Sequence, residues 1–330
     1  PADIPIPDLI VLMRRHLALE TGEFPEGLAG ALENTASVGN PWGMDPGSRL
    51  AWAKDLDVPV AKPGVAYDVL YWVGCSASYD RRAQKIARAM VKILKAAGIH
   101  FAVMQEERCH GDFARRAGEE YLFQTAAAEN IENLRKYQFK ELVAACPHCF
   151  NTLKNEYPQF EGGTFNCVSH TVLIDRLITE GRIKVSKSQF FTVMHDPCYL
   201  ARMNGITAEP RRVLETLGAH LREAKHSKAD TLCCGAGGAQ IFMDRPARIN
   251  VIRLKELKDT KSEVVASACP HCLTMLTSAQ AQQKEGAKDE VLFLDVAEIV
   301  AQQLESAAAE ETSGSGSWSS FCIIWAAGSI

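Results

Sequence analysis

Eleven cysteines carry most of the chemical information in this chain of 330 residues: Cys75, Cys109, Cys146, Cys149, Cys167, Cys198, Cys233, Cys234, Cys269, Cys272 and Cys322. Four of them form two Cys-x-x-Cys pairs, and Cys233 and Cys234 are adjacent. Near neighbours make strained disulfides. The count is odd, no secretory leader is visible, and a chain of this size can build its core without cross-links. The set therefore reads as reduced and metal-binding. Thiolate ligands select zinc or iron–sulfur clusters among biological metals.

The spacing is periodic. Cys75, Cys146 and Cys149 lie 123 residues before Cys198, Cys269 and Cys272, and Cys109 lies 124 before Cys233. The neighbouring text repeats too: Leu142-Val-Ala-Ala-Cys146-Pro-His-Cys149 matches Val264-Val-Ala-Ser-Ala-Cys269-Pro-His-Cys272. An internal duplication accounts for both observations. It divides the chain into a connector over 1–64, a first unit over 65–185, a second over 186–310 and a tail over 311–330.

Each cysteine group needs an element to hold it. Val65 to Cys75 is rich in β-branched and aromatic residues and reads as a strand. Asp80 to Ala97 carries an apolar stripe at Ile86, Met90, Ile93 and Leu94, closed by Gly98, and reads as a helix. A short strand over 99–104 precedes Cys109. A helix over 119–137 and a strand over 140–145 lead into Cys146, and Pro147 suits the first turn of the helix that follows. The second unit repeats this plan. A strand over 190–194 runs through His195 and Asp196 to Cys198, and helices over 210–217 and 247–257 flank the Cys233-Cys234-Gly235-Ala-Gly237-Gly238 loop. A strand over 264–268 then enters Cys269-Pro-His-Cys272, which opens a helix, and 291–304 closes the unit. The fold class is α/β: two tandem Rossmann-like units with parallel sheets. Ligands of such sheets gather at the carboxyl ends of the strands, so each sheet should collect one cysteine set there.

Composition narrows the partners. Hydrophobic residues make up 47% of the chain and charged residues 23%, with a formal charge of −4 and no long basic run. Nucleic acid is excluded as a partner, because phosphate binding needs a concentrated basic face. No apolar run reaches the roughly 18–20 residues that span a bilayer. The expected location is cytoplasmic, with any membrane contact made peripherally at the inner face through a partner or a preceding part. In the connector, Asp8 is placed to cap a helix over 9–19, and 40–47 is turn-rich. The Ser/Gly-rich stretch at 312–317 is linker-like, and Cys322 goes with the tail after it.

The two cysteine sets differ in what they can hold. The second offers five thiols: Cys198, Cys233, Cys234, Cys269 and Cys272. A tetrahedral zinc uses four, whereas a multi-iron cluster can use all five. Gly235, Gly237 and Gly238 let backbone N–H groups approach an inorganic core closely. The first set offers four, Cys75, Cys109, Cys146 and Cys149, because His110 stands where the second adjacent cysteine would be. Four thiolates suit an ordinary cubane cluster or zinc.

The pattern Cys198-x34-Cys233-Cys234-Gly235-x33-Cys269-x2-Cys272 resembles the cysteine-rich CCG domain. That family comprises heterodisulfide reductase catalytic subunits, iron–sulfur subunits of glycolate and lactate oxidation, and related membrane-linked reductases. The resemblance covers about 65–305, twice over. It implies a [4Fe-4S] cluster, of the non-cubane kind where the five-cysteine motif is complete, on Cys198, Cys233, Cys234, Cys269, Cys272 and Gly235. It implies a second [4Fe-4S] cluster, or zinc, on the four cysteines of the first unit, where His110 marks a lost ligand or, as the lesser alternative, a fifth one. Cys233 and Cys234 are then the candidate catalytic residues. The residues at 1–7 and Asn40-Pro-Trp-Gly-Met44 resemble the stretch that follows a two-cluster ferredoxin module in large reductases. The implied partners are a ferredoxin-type module, an electron-transferring flavoprotein or flavin dehydrogenase, and a membrane quinone-reactive subunit. The implied function is electron transfer between a flavoprotein or thiol–disulfide couple and a quinone-linked chain. The alternative of a different class is a zinc-stabilised assembly module without redox activity.

Other residues receive plainer expectations. His148 and His271 are placed at solvent-facing helix N-termini, and His195 and Asp196 in a loop hydrogen bond. Cys167 and His170 are placed on one helix as packing residues. The pairs Arg81-Arg82 and Arg211-Arg212 are placed on solvated helix faces. The glycine loop lacks the Lys-Ser/Thr and the spacing of a nucleotide-binding motif.

Overall fold

The computed structural model describes residues 6–22, 24, 25, 27–243, 249–283 and 290–304. The tail, Cys322 with it, lies outside the described residues, as do the first two positions of the helix expected from Ala247.

The N-terminal segment carries two helices. Helix α1 (Ile6–His16) continues as a wide turn to Thr21 and stops at Gly22; α2 (Leu28–Val38) stops at Gly39. Asp8 falls within the first turn of α1 and not at its cap, since the helix begins at Ile6. The turn after α2 is built on Asn40, which is fully buried. Its Oδ1 accepts from the N–H groups of Trp42 and Met44, and its Nδ2 donates to the Met44 carbonyl. Such an Asx-type closure explains an asparagine at the head of a turn.

The first unit runs β1 (Ala66–Trp72), α3 (Gly74–Tyr79), α4 (Arg81–Ala96), β2 (Phe101–Val103), α5 (Asp112–Ala117), α6 (Glu120–Leu134), β3 (Gln138–Ala144), α7 (Pro147–Asn151), β4 (Cys167–Ser169) and α8 (His170–Thr179). The second runs β5 (Phe190–His195), α9 (Cys198–Asn204), α10 (Ala208–Thr216), β6 (Ala219–Arg222), α11 (Ile249–Asp259), β7 (Val264–Ser267), α12 (Pro270–Ala281), β8 (Leu292–Asp295) and α13 (Val296–Gln303). Each unit forms a parallel four-stranded sheet, ordered β2-β1-β3-β4 and β6-β5-β7-β8. The register matches the duplication: Val69 pairs with Glu141 and Thr192 with Val264, each residue 123 positions from its counterpart.

In this strand order the chain's direction of winding reverses between β1 and β3, and again between β5 and β7. Ligands of open parallel sheets lodge at such reversals. Cys75 follows β1 and Cys146 follows β3; Cys198 follows β5 and Cys269 follows β7. The core keeps those strand ends fixed. Ile86, Met90, Ile93 and Leu94 of α4 are fully buried with Leu70 and Tyr71 of β1, and each such side chain contributes about 1.5–3 kcal/mol.

Several expectations need correction. Cys167 lies on a strand, and only His170 begins the helix, because β3 has room for a parallel neighbour on its far side. Arg211 is buried and not solvated: its guanidinium donates twice to Asp196 and twice to Glu223 at 2.7–2.9 Å. Arg82 donates to both carboxylate oxygens of Glu298 in the other unit, at 2.9 and 2.8 Å. The stretch 291–304 is a strand followed by a helix capped through Asp295.

Candidate metal centre

The first cysteine set is assembled by three strand ends. The backbone turns sharply between β1 and α3 at Gly74, whose φ of +79° excludes most side chains. A Cβ there would stand 3.1 Å from Cys149 Sγ, so the glycine lets the turn and the thiol approach. The Glu107 carboxylate clamps the same turn, accepting from the N–H groups of Val73 (2.9 Å) and Gly74 (2.8 Å). Arg49, from the N-terminal segment, donates to Glu107 at 2.9 Å and to Cys75 Sγ at 3.5 Å. Cys109 is fixed through its backbone, with its N–H on the Gly39 carbonyl (2.8 Å) and its own carbonyl on Asn130 (3.1 Å). Cys146 is the residue before the first turn of α7, with Pro147 in that turn.

All four thiols, with His110, Asp112 and His148, line a cavity of about 50 Å³. The neighbouring Cys109 thiol and the Arg49 charge hold the Cys75 thiol below its ordinary value against the effect of burial. His110 accepts the Asp112 N–H on Nδ1 at 3.3 Å, and burial pushes its pKa down to about 4. A neutral imidazole is therefore what the cavity holds at that position.

The second set is built the same way. Cys198 opens α9 directly after Pro197. The adjacent pair sits in a tight loop where Gly235, at φ +90°, donates its N–H to Cys233 Sγ at 3.2 Å. The sulfurs form a chain of contacts, Cys198 to Cys233, Cys233 to Cys234, Cys234 to Cys272 and Cys272 to Cys269. His195 joins this group: a ring nitrogen and the sulfurs of Cys234 and Cys272 lie within 4.8 Å of one another. Arg253, fully buried, donates through Nε to His195 Nδ1 at 3.0 Å. Because an arginine can only donate, Nδ1 must carry the lone pair and Nε2 the proton. Nε2 is buried and without a partner.

The two sets meet. Burial raises the Cys146 thiol of the first unit, but Cys269 and His271 of the second lie close enough for their interaction to hold it well below its ordinary value. Gly237 and Gly238 of the adjacent-cysteine loop line the first unit's cavity. The His148 ring stacks on Tyr199 at 4.2 Å and takes the edge of His271 at 5.3 Å. His148 Nδ1 pairs with Asp112 at 2.9 Å, and Asp112 also accepts from Arg116 and from the Tyr199 hydroxyl, both at 3.1 Å. His148 is thus buried and not solvent-facing, because the second unit covers the helix end it sits on. Burial disfavours its imidazolium, but the Asp112 contact outweighs this and lifts its pKa above the ordinary value.

All nine cysteines expected to hold metal come together in this array, and Gly235 lies within it. Cys167 does not; burial pushes its thiol up to about 12. Arg49, Glu107, Tyr199 and Arg253 belong to the surroundings of the array and carry no sequence signal except that Tyr199 adjoins Cys198. The donor set fits an iron–sulfur group. Reduced thiols surround it, Gly74 stands where a Cβ would crowd the Cys149 sulfur, and the orphaned Nε2–H of His195 points to an acceptor at the second set.

The family model of the CCG cysteine-rich domain matches residues 69–154 and 192–277. Three curated relatives illustrate the company. A "Probable membrane-anchored ferredoxin" of Chromohalobacter salexigens is 40% identical over 307 residues, covering 91% of this chain and 45% of that protein. The "EtfAB:quinone oxidoreductase" of Syntrophomonas wolfei is 34% identical over 312 residues, covering 90% and 43%. One component of the dihydromethanophenazine:CoB–CoM heterodisulfide reductase of Methanosarcina barkeri is 32% identical over 275 residues, covering 80% and 65%. The chain spans less than half the length of the first two.

Proposed function

The chain belongs to the family of the CCG cysteine-rich domain, of which it carries two copies, and from this we propose that it is the iron–sulfur electron-transfer part of an oxidoreductase. The observation that carries the reading is the meeting of nine thiols at the facing strand ends of two duplicated units. Cys198, Cys233, Cys234, Cys269 and Cys272, with Gly235, hold a [4Fe-4S] cluster of the non-cubane kind. Cys75, Cys109, Cys146 and Cys149 hold a second [4Fe-4S] cluster. Such clusters accept and release single electrons at potentials set by net charge, hydrogen bonds to sulfur and exposure.

The protein's own residues make the site work. Gly235 N–H and His195 Nε2–H supply donors at the second set, and Arg253 fixes the imidazole in the donating tautomer. Within the array only Cys198 and Cys233 are half-buried; the other seven are buried. Electrons therefore enter or leave at the Cys198–Cys233 edge, and in this reading Cys233, at that edge with the buried Cys234 beside it, serves a disulfide substrate. The redox partners are a flavoprotein or a thiol–disulfide couple on one side and a quinone-linked chain on the other. A ferredoxin-type module and a membrane quinone-reactive subunit complete the assembly. No helix among the described residues is long and apolar enough to cross a membrane; contact with a bilayer, in this reading, runs through such a partner or through a preceding part of the protein.

The test is reduction of the anaerobically purified chain by a reduced electron-transferring flavoprotein, followed by visible absorption. Bleaching that is lost in Cys234→Ser is the expected result. A colourless protein that binds the flavoprotein equally well in both redox states would overturn the reading in favour of a zinc-stabilised module.

A further inference from the structure

Arg49 is almost fully buried, at 2% exposure, and so is Glu107, at 3%. A charged guanidinium is held in a protein interior only where every donor has a use. Here Nη1 is shared between Glu107 (2.9 Å) and Ser78 Oγ (3.2 Å), while Nη2 is given to Cys75 Sγ at 3.5 Å. Glu107 in turn grips the turn that carries Cys75, through the N–H groups of Val73 and Gly74. The arrangement ties a permanent positive charge from the N-terminal segment to one thiol of the first set. The second unit has no equivalent: among the described residues no arginine hydrogen-bonds to Cys198, the counterpart of Cys75. There the nearby guanidiniums go to His195 and Asp196 instead.

We propose that Arg49 is a positioning residue of the first cysteine set, which orients Cys75 and raises the reduction potential of the group held there. The reasoning is electrostatic. Adding an electron makes the centre more negative, and a cation donating to a ligand sulfur stabilises that state more than the oxidised one. The effect is large where water cannot screen it. Glu107 opposes the charge, but the guanidinium is the partner that reaches the sulfur, at 3.5 Å. The inference rests on the iron–sulfur reading of the first set.

The experiment is a dithionite titration of the full chain, monitored by electron paramagnetic resonance, with iron and sulfide counted on each sample. The signal lost in Cys109→Ser identifies the first set. In Arg49→Met its midpoint should fall by at least a tenfold change in the reduction equilibrium, about 59 mV for one electron. The second set's midpoint should stay in place. Arg49→Lys, which keeps the charge, should recover at least half of the shift. A merely structural arginine would change stability without this charge-dependent recovery. An unchanged midpoint in Arg49→Met with full iron content overturns the inference and leaves the iron–sulfur reading intact. If Arg49→Met does not retain iron at the first set, the decision passes to Arg49→Lys. Iron retained there with a near-native midpoint supports the inference, and loss of iron there overturns it. Absence of iron from the first set of the wild-type protein overturns the reading and the inference together.

Discussion

At the scale of single residues, the array is governed by buried polar groups with few alternatives. Asp112 serves three partners, His148, Arg116 and Tyr199. Burial raises its pKa, but the His148 hydrogen bond and the charges of His148 and Arg116 outweigh this and hold the carboxyl below its ordinary range. A depressed acid gives stability that is present above its unfolded pKa and lost as pH falls, whereas a raised base such as His148 gives stability lost as pH rises. Their joint contribution is therefore greatest between about pH 4 and 6.5, the unperturbed values of the two groups. Asp112→Asn should destabilise the metal-free chain by about 3 kcal/mol in that window, the usual effect of breaking a buried pair. The difference from wild type, followed by denaturant unfolding, should shrink as the solution is acidified below the window. A difference that stays constant down to about pH 2–3 would refute the ionised pair. The nine thiols proposed to hold metal are legible in sequence because their spacing is kept through the duplication. Sequence alone misplaces His148 at the surface because the ring that covers it, Tyr199, is 51 residues away along the chain.

At the scale of elements, the strand-to-helix turns decide where sulfur can go. Gly74→Ala should cost about 1–2 kcal/mol from its left-handed backbone alone, and its Cβ also presses on Cys149 Sγ at 3.1 Å. Iron should be lost selectively from the first set, as counted by chemical assay. Gly237→Ala is the control: its φ is not positive, and the nearest atoms to an added Cβ, on His148 and Tyr199, are 3.8 and 3.9 Å away. Retained iron in both variants would show that the Gly74 turn does not shape the site. The long strands β1, β3 and β5 and helix α4 are readable, because their apolar runs and stripes are long enough to show a period. Strands β4 (Cys-Val-Ser) and β6 (Ala-His-Leu-Arg) lack the apolar run that marks the equally short β2 (Phe-Ala-Val) and β7 (Val-Val-Ala-Ser). Helix α2 escapes such reading because turn-forming residues surround it, yet its end supplies Gly39, whose carbonyl receives the Cys109 N–H.

At the scale of the whole molecule, the two units act as one through their facing strand ends. His170 Nε2 meets Asp295 at 3.1 Å, both fully buried, and Arg82 of α4 clasps Glu298 of α13. Cys146 of the first unit and Cys269 of the second lie close enough to interact across this junction. Two paramagnetic centres so placed should interact. The fully reduced protein should give a broadened, fast-relaxing resonance, and Cys109→Ser should simplify it to the spectrum of one isolated centre. Two independent signals in the wild type would argue against a shared junction. Sequence alone assigns each sheet its own cysteine set, and the sheets bear this out. The meeting of the sets is hidden from it, because that depends on how the duplicated units pack, which no spacing within a unit records.

The central claim is that these cysteines hold iron–sulfur groups, and the most direct test is composition. The chain, purified anaerobically, should contain about eight iron and eight acid-labile sulfide per molecule, as two [4Fe-4S] clusters require, with zinc absent. One or two zinc ions, without sulfide, in a folded and colourless protein would contradict the account.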